Sequence, residues 1–275
     1  MHLFNTSEGV ILSVNNKFYS IADSWDTLAR KENLSDYLME ASQKAPVRAS
    51  LPENMIAPIE SQEIWAAGVT YYRSRTARME ESKVSGGATF YDKVYDADRP
   101  ELFYKGSKRN CSPHNGLVNI RRDSTWSVPE PELTLFISPG GKIQGYTIGN
   151  DMSARDIEGE NPLYLPQAKL YARSVSLGPS IWITDKPIPS ATGITMRIFR
   201  DKKEVFHGKS GVAEIKRRFE DLIKYLFEEY DFPEGVFLLT GTGVVPPDEF
   251  TLQPDDVVNI EIDGIGKLVN TVSYK

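Results

Sequence analysis

The chain has 275 residues, of which 40% are hydrophobic and 25% charged, and this composition is typical of a folded globular protein. Its net charge is −6, so a basic face for nucleic acid or an anionic membrane is not expected. No apolar run approaches the roughly 20 residues that span a bilayer, and residues 1–5 lack the features of a secretory signal. The single cysteine, Cys111, excludes an internal disulfide framework and a cysteine-based zinc site. We therefore expect a cytoplasmic protein without a nucleic-acid or membrane partner.

Residues 1–60 have the pattern of a small N-terminal α+β domain. Two apolar strand patterns flank Asn15-Asn16, which predicts a β-hairpin because asparagine tolerates positive φ. Residues 24–41 follow with apolar side chains at helical spacing, which predicts one helix. Prolines then mark the boundary to a second region, and we expect residues 61–275 to form a catalytic domain.

Strand patterns dominate the rest of the chain. From Leu102 onward, short apolar runs alternate with turn sequences such as Pro139-Gly140-Gly141, and one clear helix is predicted over 215–230. Many short strands with few helices imply an α+β fold that is mostly β, a roll or a distorted barrel. The charged segment 73–98 contains Gly86-Gly87 and has two interpretations, a solvated helix and loop or a lid over the site.

Three carboxylates form the most informative pattern in the chain. Glu130 and Glu132 are two residues apart, so on a strand they point to one face, and Asp151 follows in a second strand pattern. Pro131 between the glutamates favours a strand start or an edge strand near the mouth of a site. Clustered carboxylates repel one another unless a cation lies between them, and a hard divalent cation such as Mg²⁺ is the simplest candidate. The alternative interpretation is that Glu130 and Glu132 are two surface glutamates on an edge strand.

Other residues bear on the chemistry. Lys169 ends an apolar, proline-containing run that starts at Asn161, where it is either a surface residue or, beside a metal, a base of lowered pKa. The turn Thr240-Gly241-Thr242-Gly243 offers hydroxyl and backbone N–H groups that can hold a carboxylate or an oxyanion. Arg155 and Asp156 are expected to form a structural ion pair. The chain has no phosphate-loop sequence and no Gly-x-Ser-x-Gly elbow, and its three histidines lack zinc-site spacing.

In this order the motifs resemble the fumarylacetoacetate hydrolase superfamily. The resemblance covers residues 60–275 and is carried by Glu130-x-Glu132, Asp151-x-Ser153-Ala154-Arg155-Asp156, Lys169, Thr240-Gly241-Thr242-Gly243 and Ile265-Gly266-x-Leu268-x-Asn270. It implies a mixed β-roll behind a small N-terminal domain, in a homodimer or homotetramer. It also implies that Glu130, Glu132 and Asp151 bind Mg²⁺, for which Mn²⁺ or Ca²⁺ can substitute.

A second set of residues resembles the members of this superfamily that dehydrate 2-keto-3-deoxy sugar acids. The set consists of Tyr91-x-Lys93-Val94-Tyr95-Asp96-Ala97-x-Arg99-Pro100-Glu101, Pro129-Glu130-Pro131-Glu132-Leu133, Ser153-Ala154-Arg155-Asp156 and Glu160-Asn161-Pro162-Leu163-Tyr164-Leu165-Pro166-Gln167-x-Lys169. The resemblance implies that Glu101 and Lys169 are the catalytic acid–base residues. The substrate contacts that it implies are Lys105, Thr242, Tyr71 and Arg73.

One departure from the superfamily pattern bears on the reaction. Hydrolases of the superfamily carry a His shortly after an Asn-Tyr to activate water, whereas this segment reads Gly68-Val69-Thr70-Tyr71-Tyr72-Arg73-Ser74. Elimination is therefore favoured over C–C hydrolysis. We expect a Mg²⁺-dependent dehydratase (a hydro-lyase) that converts a 2-keto-3-deoxy-pentonate, from D-arabinonate or D-xylonate, to 2,5-dioxopentanoate. The alternatives are a metal-dependent C–C hydrolase of the acylpyruvase or fumarylacetoacetate type and a non-catalytic protein that binds an ion for structure.

Overall fold

Strands make up most of the regular structure in this computed structural model, which describes residues 1–52, 55–72 and 93–275. The strands are β1 His2–Thr6, β2 Gly9–Val14, β3 Lys17–Ile21, β4 Val47–Arg48, β5 Glu63–Gly68, β6 Glu101–Ser107, β7 Cys111–Ser112, β8 Leu117–Ile120, β9 Ser127–Ile137, β10 Ile143–Ala154, β11 Val175–Ile183, β12 Gly193–Arg200, β13 Lys203–Gly211, β14 Val236–Leu239, β15 Val257–Ile262 and β16 Gly266–Tyr274. The α-helices that lie wholly within the described residues and away from their gaps are α1 Trp25–Ala29, α2 Leu34–Lys44, α3 Arg155–Glu160, α4 Leu165–Lys169 and α5 Phe219–Phe227.

The strands form two mixed sheets. The larger sheet has the order β4-β3-β2-β1-β11-β10-β9-β14-β5-β6, with β7 beside β11, and the smaller has the order β13-β12-β15-β16-β8. Most neighbours are antiparallel, but the pairs β14–β5, β11–β7 and β16–β8 are parallel. This arrangement confirms the predicted α+β fold that is mostly β.

The N-terminal hairpin is confirmed, and the helix after it is divided. Strands β2 and β3 pair around Asn15 and Asn16, whose φ angles are 49° and 61°. The single helix predicted over 24–41 is wrong, because the chain leaves the helical conformation between α1 and α2. The linker is held by a distant turn: Glu32 accepts hydrogen bonds from Ser138 Oγ at 2.7 Å and from the Gly140 N–H at 2.8 Å.

The N-terminal strands continue the larger sheet. Strand β1 pairs with β11, where Leu3 lies opposite Ile181. The side chains of Trp25 and Leu28 belong to the same hydrophobic cluster as Phe136 and Ile181 of the larger sheet. Residues 1–60 thus share a sheet and a core with the rest of the chain, and their separation as a domain stays a prediction.

The hairpin of β9 and β10 is buried on both faces and supports the site. Leu133 and Leu135 point into the core between the two sheets, which they share with Met196 and Ile260. The alternate residues of β9 point to the opposite face of the sheet, and that face carries the acidic side chains. The core therefore fixes the strands from behind the site.

Two predictions concern the remaining segments. The helix predicted over 215–230 is present as the shorter α5, with Leu222 and Leu226 in the inter-sheet core. The predicted lid at 73–98 lies outside the described residues, except for 93–98. None of the helices in the described part of the chain is long and apolar enough to cross a membrane.

Candidate active site

Glu130, Glu132 and Asp151 lie together on the β9–β10 hairpin. The antiparallel register places Asp151 opposite Glu130 and Gly149 opposite Glu132, so the three carboxylates share one face. One ligand oxygen from each lies within 4.8 Å of the other two, and no member of the trio is more than 3% exposed. The structure therefore brings together the three residues that the sequence predicts as a metal site. The burial of Glu130 and Glu132 excludes the alternative interpretation that they are surface residues.

Pro131 lies inside β9 rather than at its start. It is opposite Asn150 of β10, and β9 as a whole runs between β10 and β14. Strand β14, however, pairs only with residues 134–137, so the stretch with the glutamates has β10 as its one strand neighbour among the described residues. Proline has no N–H to donate and is tolerated at such a position. The edge prediction is thus right for this half of the strand only.

Lys169 extends its ammonium group into the carboxylate trio. It is the last residue of α4 and only 1% exposed, which excludes the surface alternative. Its Nζ donates hydrogen bonds to Glu130 Oε2 at 2.7 Å, to Asp151 Oδ2 at 3.1 Å and to Ser153 Oγ at 2.6 Å. An ionisable amine is therefore held directly beside two of the predicted metal ligands.

One oxygen of each carboxylate is fixed by a donor from another residue. The three contacts are Arg155 Nη2 to Glu130 Oε1 at 2.9 Å, Lys105 Nζ to Asp151 Oδ1 at 2.5 Å and the Gly241 N–H to Glu132 Oε2 at 2.5 Å. Such contacts from outside a metal site orient its ligands. The second oxygens of Glu130 and Asp151 are the ones that face Lys169.

The three carboxylates differ in their electrostatic surroundings. Burial raises the pKa of Glu132 well above its usual range, and the charges of Asp151 and Glu130 raise it further. Burial also opposes ionisation of Asp151, but the ammonium groups of Lys105 and Lys169 outweigh it and lower the pKa of this carboxyl. No cationic side chain in the described part of the chain forms an ion pair with Glu132. A bound cation would supply the missing positive charge.

The donor set fits a hard divalent ion. Glu130, Glu132 and Asp151 would hold it through carboxylate oxygens, which are the ligands that Mg²⁺ prefers. Mg²⁺ is usually held by few protein carboxylates and keeps coordination positions for water or substrate. Three protein ligands are compatible with that requirement.

A cavity lies against the trio and Lys169. Its other lining includes Gly68, Val69, Phe103 and Val245, together with Thr242. The Thr242 side chain is 7% exposed, and its hydroxyl donates to Val244 O at 3.2 Å. Thr242 is thus on the cavity wall, as a substrate contact requires, and its role stays a prediction.

Glu101 lies next to Gly68 of this cavity wall, while its own side chain is part of the wall of a second cavity that Pro162 and Leu165 also line. Strands β5 and β6 place it opposite Gly68, which lines the cavity. A Cβ atom on Gly68 would lie 1.9 Å from Oε2 of Glu101, so the carboxylate occupies the space that a side chain would fill. The absence of a side chain at Gly68 therefore gives Glu101 its position.

The other predicted substrate contacts are placed differently. Tyr71 is fully buried, and burial followed by the charge of Glu132 raises the pKa of its hydroxyl. Lys105 is also fully buried, lies behind Asp151 and does not line the cavity. Burial lowers the pKa of Lys105 despite the attraction of Asp151. Arg73 lies outside the described residues.

Ser153 and Arg155 contact the site but were not assigned to it from the sequence. Ser153 contacts Lys169, and strand alternation could have revealed it because residues 151 and 153 share a face. The predicted ion pair between Arg155 and Asp156 is wrong, since Arg155 contacts Glu130 instead. Asp156 accepts hydrogen bonds from Ser124 Oγ and the Thr125 N–H, both at 2.6 Å.

The family described as "Fumarylacetoacetate (FAA) hydrolase C-terminal" matches residues 77–273. These residues are more than half of the chain and include the three carboxylates and Lys169. The chain belongs to the fumarylacetoacetate hydrolase family.

Two relatives are similar over most of the chain. The 2-dehydro-3-deoxy-D-arabinonate dehydratase of Saccharolobus solfataricus is 42% identical over 220 residues, which are 79% of this chain and 74% of that protein. A Haloferax volcanii protein named "Probable 2-keto-3-deoxyxylonate dehydratase" is 43% identical over 227 residues, 82% of this chain and 77% of its own.

Solved structures extend the similarity to the whole chain. One of 2-keto-3-deoxyarabinonate dehydratase superposes with a TM-score of 0.88 at 33% identity, covering 100% of this chain and 99% of that chain. Another, complexed with magnesium and 2,5-dioxopentanoate, has a TM-score of 0.86 at 32% identity with the same coverage. The predicted fold class is confirmed by these matches.

Proposed function

We propose that this chain is a Mg²⁺-dependent dehydratase that converts a 2-keto-3-deoxy-pentonate to 2,5-dioxopentanoate. The observation that carries the proposal is the position of Lys169 Nζ, within 3.1 Å of both Glu130 and Asp151 in a buried carboxylate trio. The similarity to the arabinonate and xylonate dehydratases supports the substrate class. The related structure that holds magnesium and 2,5-dioxopentanoate supports both ion and product.

The chemistry of such a substrate matches the groups in the site. Protons on C3 are acidic because the C2 carbonyl delocalises the charge left by their removal. Mg²⁺ bound by Glu130, Glu132 and Asp151 supplies Lewis-acid stabilisation of the negative charge that develops in the reaction. The C4 hydroxyl is β to the carbonyl, so its bond to carbon breaks and it leaves with a proton as water.

Lys169 and Glu101 are the proposed acid–base residues. One takes the C3 proton, and the other protonates the departing C4 hydroxyl. A proton is then removed from C5, and C3 is protonated, which leaves an enol between C4 and C5. Protonation of C4 and loss of the proton from the C5 hydroxyl turn C5 into an aldehyde. The net change is the loss of one water. The hydrogen bonds from Lys169 to Glu130, Asp151 and Ser153 hold its Nζ in place for these transfers.

Several finer features belong to the same proposal. Thr242, Tyr71 and Arg73 contact the substrate. Mn²⁺ or Ca²⁺ replaces Mg²⁺ with partial activity, because both are hard cations that take oxygen ligands. The protein is a cytoplasmic homodimer or homotetramer in which a small N-terminal domain, 1–60, precedes the catalytic domain, 61–275.

Turnover of a defined substrate checks the proposal. Purified protein is supplied with each enantiomer of 2-keto-3-deoxy-pentonate, and the aldehyde product is oxidised by a coupled aldehyde dehydrogenase. We expect product from one enantiomer with Mg²⁺, none in excess EDTA, and recovery when Mg²⁺ is restored. Full activity in EDTA would exclude the metal role. Release of pyruvate from an acylpyruvate, with no dehydration, would support the C–C hydrolase instead.

A further inference from the structure

Lys105 is a fully buried lysine whose contacts are all to protein atoms of the site. It belongs to β6, and its side chain has no exposed area. Its Nζ lies 2.5 Å from Asp151 Oδ1 and 3.0 Å from Met152 O, and it also donates a short hydrogen bond to Lys169 O. The sequence predicts that Lys105 contacts the substrate, and this geometry leads to a different role.

Three oxygen atoms surround the ammonium group of Lys105. It donates hydrogen bonds to the carbonyl oxygens of Met152 and Lys169, and it forms an ion pair with Asp151 Oδ1. Lys105 is not part of the cavity wall. A direct contact with the substrate would therefore require Lys105 to leave these protein contacts.

The contact with Lys169 O is a contact with a helix end. The last carbonyl groups of a helix have no partner within the helix, and α4 has only five residues to hold its own conformation. A lysine ammonium at that end satisfies one carbonyl and opposes the negative end of the helix dipole. Lys105 therefore stabilises the turn from which the Lys169 side chain projects.

We infer that Lys105 is a positioning residue that joins the Asp151 carboxylate to the end of α4. It holds Asp151 and the main chain of Lys169 at once, and so maintains the 3.1 Å contact between Lys169 Nζ and Asp151 Oδ2. Within the described part of the chain, in contrast, Arg155 and the Gly241 N–H each contact one carboxylate of the trio. This inference rests on the proposed function for its catalytic consequence, but its structural part does not.

Hydrogen–deuterium exchange of the metal-free protein measures the structural part. The Leu170 amide donates a hydrogen bond to Pro166 O at 2.9 Å at the end of α4. In Lys105→Met this helix end is no longer held by the Lys105 ammonium group, so the Leu170 amide should exchange about 10-fold faster or more. Lys108→Met removes the same side chain three residues away, where it pairs with Glu60 at the surface, and should leave this exchange unchanged. Exchange in α2 should be the same in both variants, which separates a local effect from general loss of stability.

Steady-state kinetics with Mg²⁺ measures the catalytic part. We expect kcat of Lys105→Met to fall about 10–100-fold while KM stays within about 3-fold of the wild-type value. Lys108→Met should match the wild type. A raised KM with unchanged kcat would establish Lys105 as a substrate contact and overturn the inference, as would unchanged exchange at Leu170.

A paired variant covers the case in which Lys105→Met does not fold because Asp151 is left as a buried unpaired charge. Lys105→Met/Asp151→Asn removes both charges and is compared with Asp151→Asn alone. Faster exchange of the Leu170 amide in the double variant supports the inference, and equal exchange overturns it. If the wild type dehydrates no 2-keto-3-deoxy acid, the proposed function fails while the exchange results still decide whether Lys105 holds α4.

Discussion

Replacing Glu132 by glutamine should make the metal-free protein more stable, although the change removes a predicted metal ligand. Glu132 is buried, has no ion-pair partner among the described residues, and has a raised pKa caused by burial and by Asp151 and Glu130. Glutamine keeps the shape of the side chain, and its amide oxygen can still accept the hydrogen bond from the Gly241 N–H. The substitution therefore removes an unfavourable charge and preserves the favourable contact.

The size of the effect follows from the cost of an uncompensated polar group. That cost is about 1–3 kcal/mol, and a chain of this length changes its Tm by about 2 °C per kcal/mol. We expect the Tm of Glu132→Gln in EDTA at pH 7 to exceed the wild-type value by about 2–6 °C. Glu130→Gln is the matched control, because Glu130 contacts both Arg155 and Lys169. Leaving two buried cations without it should cost about 3–5 kcal/mol and lower the Tm.

The gain should depend on pH in one direction. Below the ordinary glutamate pKa of 4.5, Glu132 is protonated in both folded and unfolded chains, and the variant differs little from the wild type. Above that value the unfolded chain loses its proton first, because the folded pKa is raised. The wild type therefore loses stability relative to Glu132→Gln as the pH rises from 4.5 toward the folded pKa.

Thermal melts by circular dichroism, in EDTA from pH 4.5 to 8 and again with Mg²⁺, measure both effects. Mg²⁺ should raise the Tm of the wild type and have little effect on Glu132→Gln, which has lost a ligand. The reasoning is refuted if Glu132→Gln is less stable than the wild type in EDTA at pH 7. It is also refuted if the difference in Tm is the same at pH 4.5 and at pH 7.

Other substitutions address the cavity, the acid–base residue and the sheet packing. Gly68→Ala puts a Cβ where the Glu101 carboxylate lies. We expect kcat to fall about 10-fold or more while the Tm stays near the wild-type value. An unchanged kcat would contradict a catalytic role of Glu101. Lys169→Met should abolish dehydration while calorimetry still detects Mg²⁺ binding, and an unchanged rate would remove Lys169 from the mechanism. Asn270→Leu removes the 3.1 Å hydrogen bond with the buried Asn150 between the two sheets, together with the bonds that Asn270 donates to Pro113 O, Gly116 O and Ser176 Oγ. Urea unfolding should show a loss of about 1–3 kcal/mol. An unchanged free energy of unfolding would show that these bonds do not stabilise the protein.

The carboxylate trio was predictable because its cause is local. Strand alternation puts Glu130 and Glu132 on one face, and the turn Pro139-Gly140-Gly141 reverses the chain so that Asp151 returns beside them. The same alternation would have identified Ser153. By contrast, Glu101 followed only from resemblance to a family. The apolar run before Lys169 left a surface residue and a base as alternatives, and no local pattern joins either residue to the trio.

The errors arise from contacts between residues far apart in sequence. The break between α1 and α2 depends on Glu32, whose partners Ser138 and Gly140 belong to the β9–β10 turn. Arg155 has an acidic neighbour in sequence but pairs with Glu130 on the adjacent strand. The substrate contact of Lys105 stays a prediction, but the ion pair of Lys105 with Asp151 is likewise a contact between distant residues that no periodicity in the sequence indicates.

The register of the β9–β10 hairpin has a consequence for folding. Asp151 lies opposite Glu130, and a slip of one residue would turn Asp151 toward the inter-sheet core and bring Asn150 to the acidic face. Only one register gathers all three carboxylates, so an ion that requires all three would bind that register alone. Such an ion would stabilise the correctly paired hairpin over slipped registers as the chain folds. The time at which tight metal binding appears during refolding would therefore report when this hairpin is correctly paired.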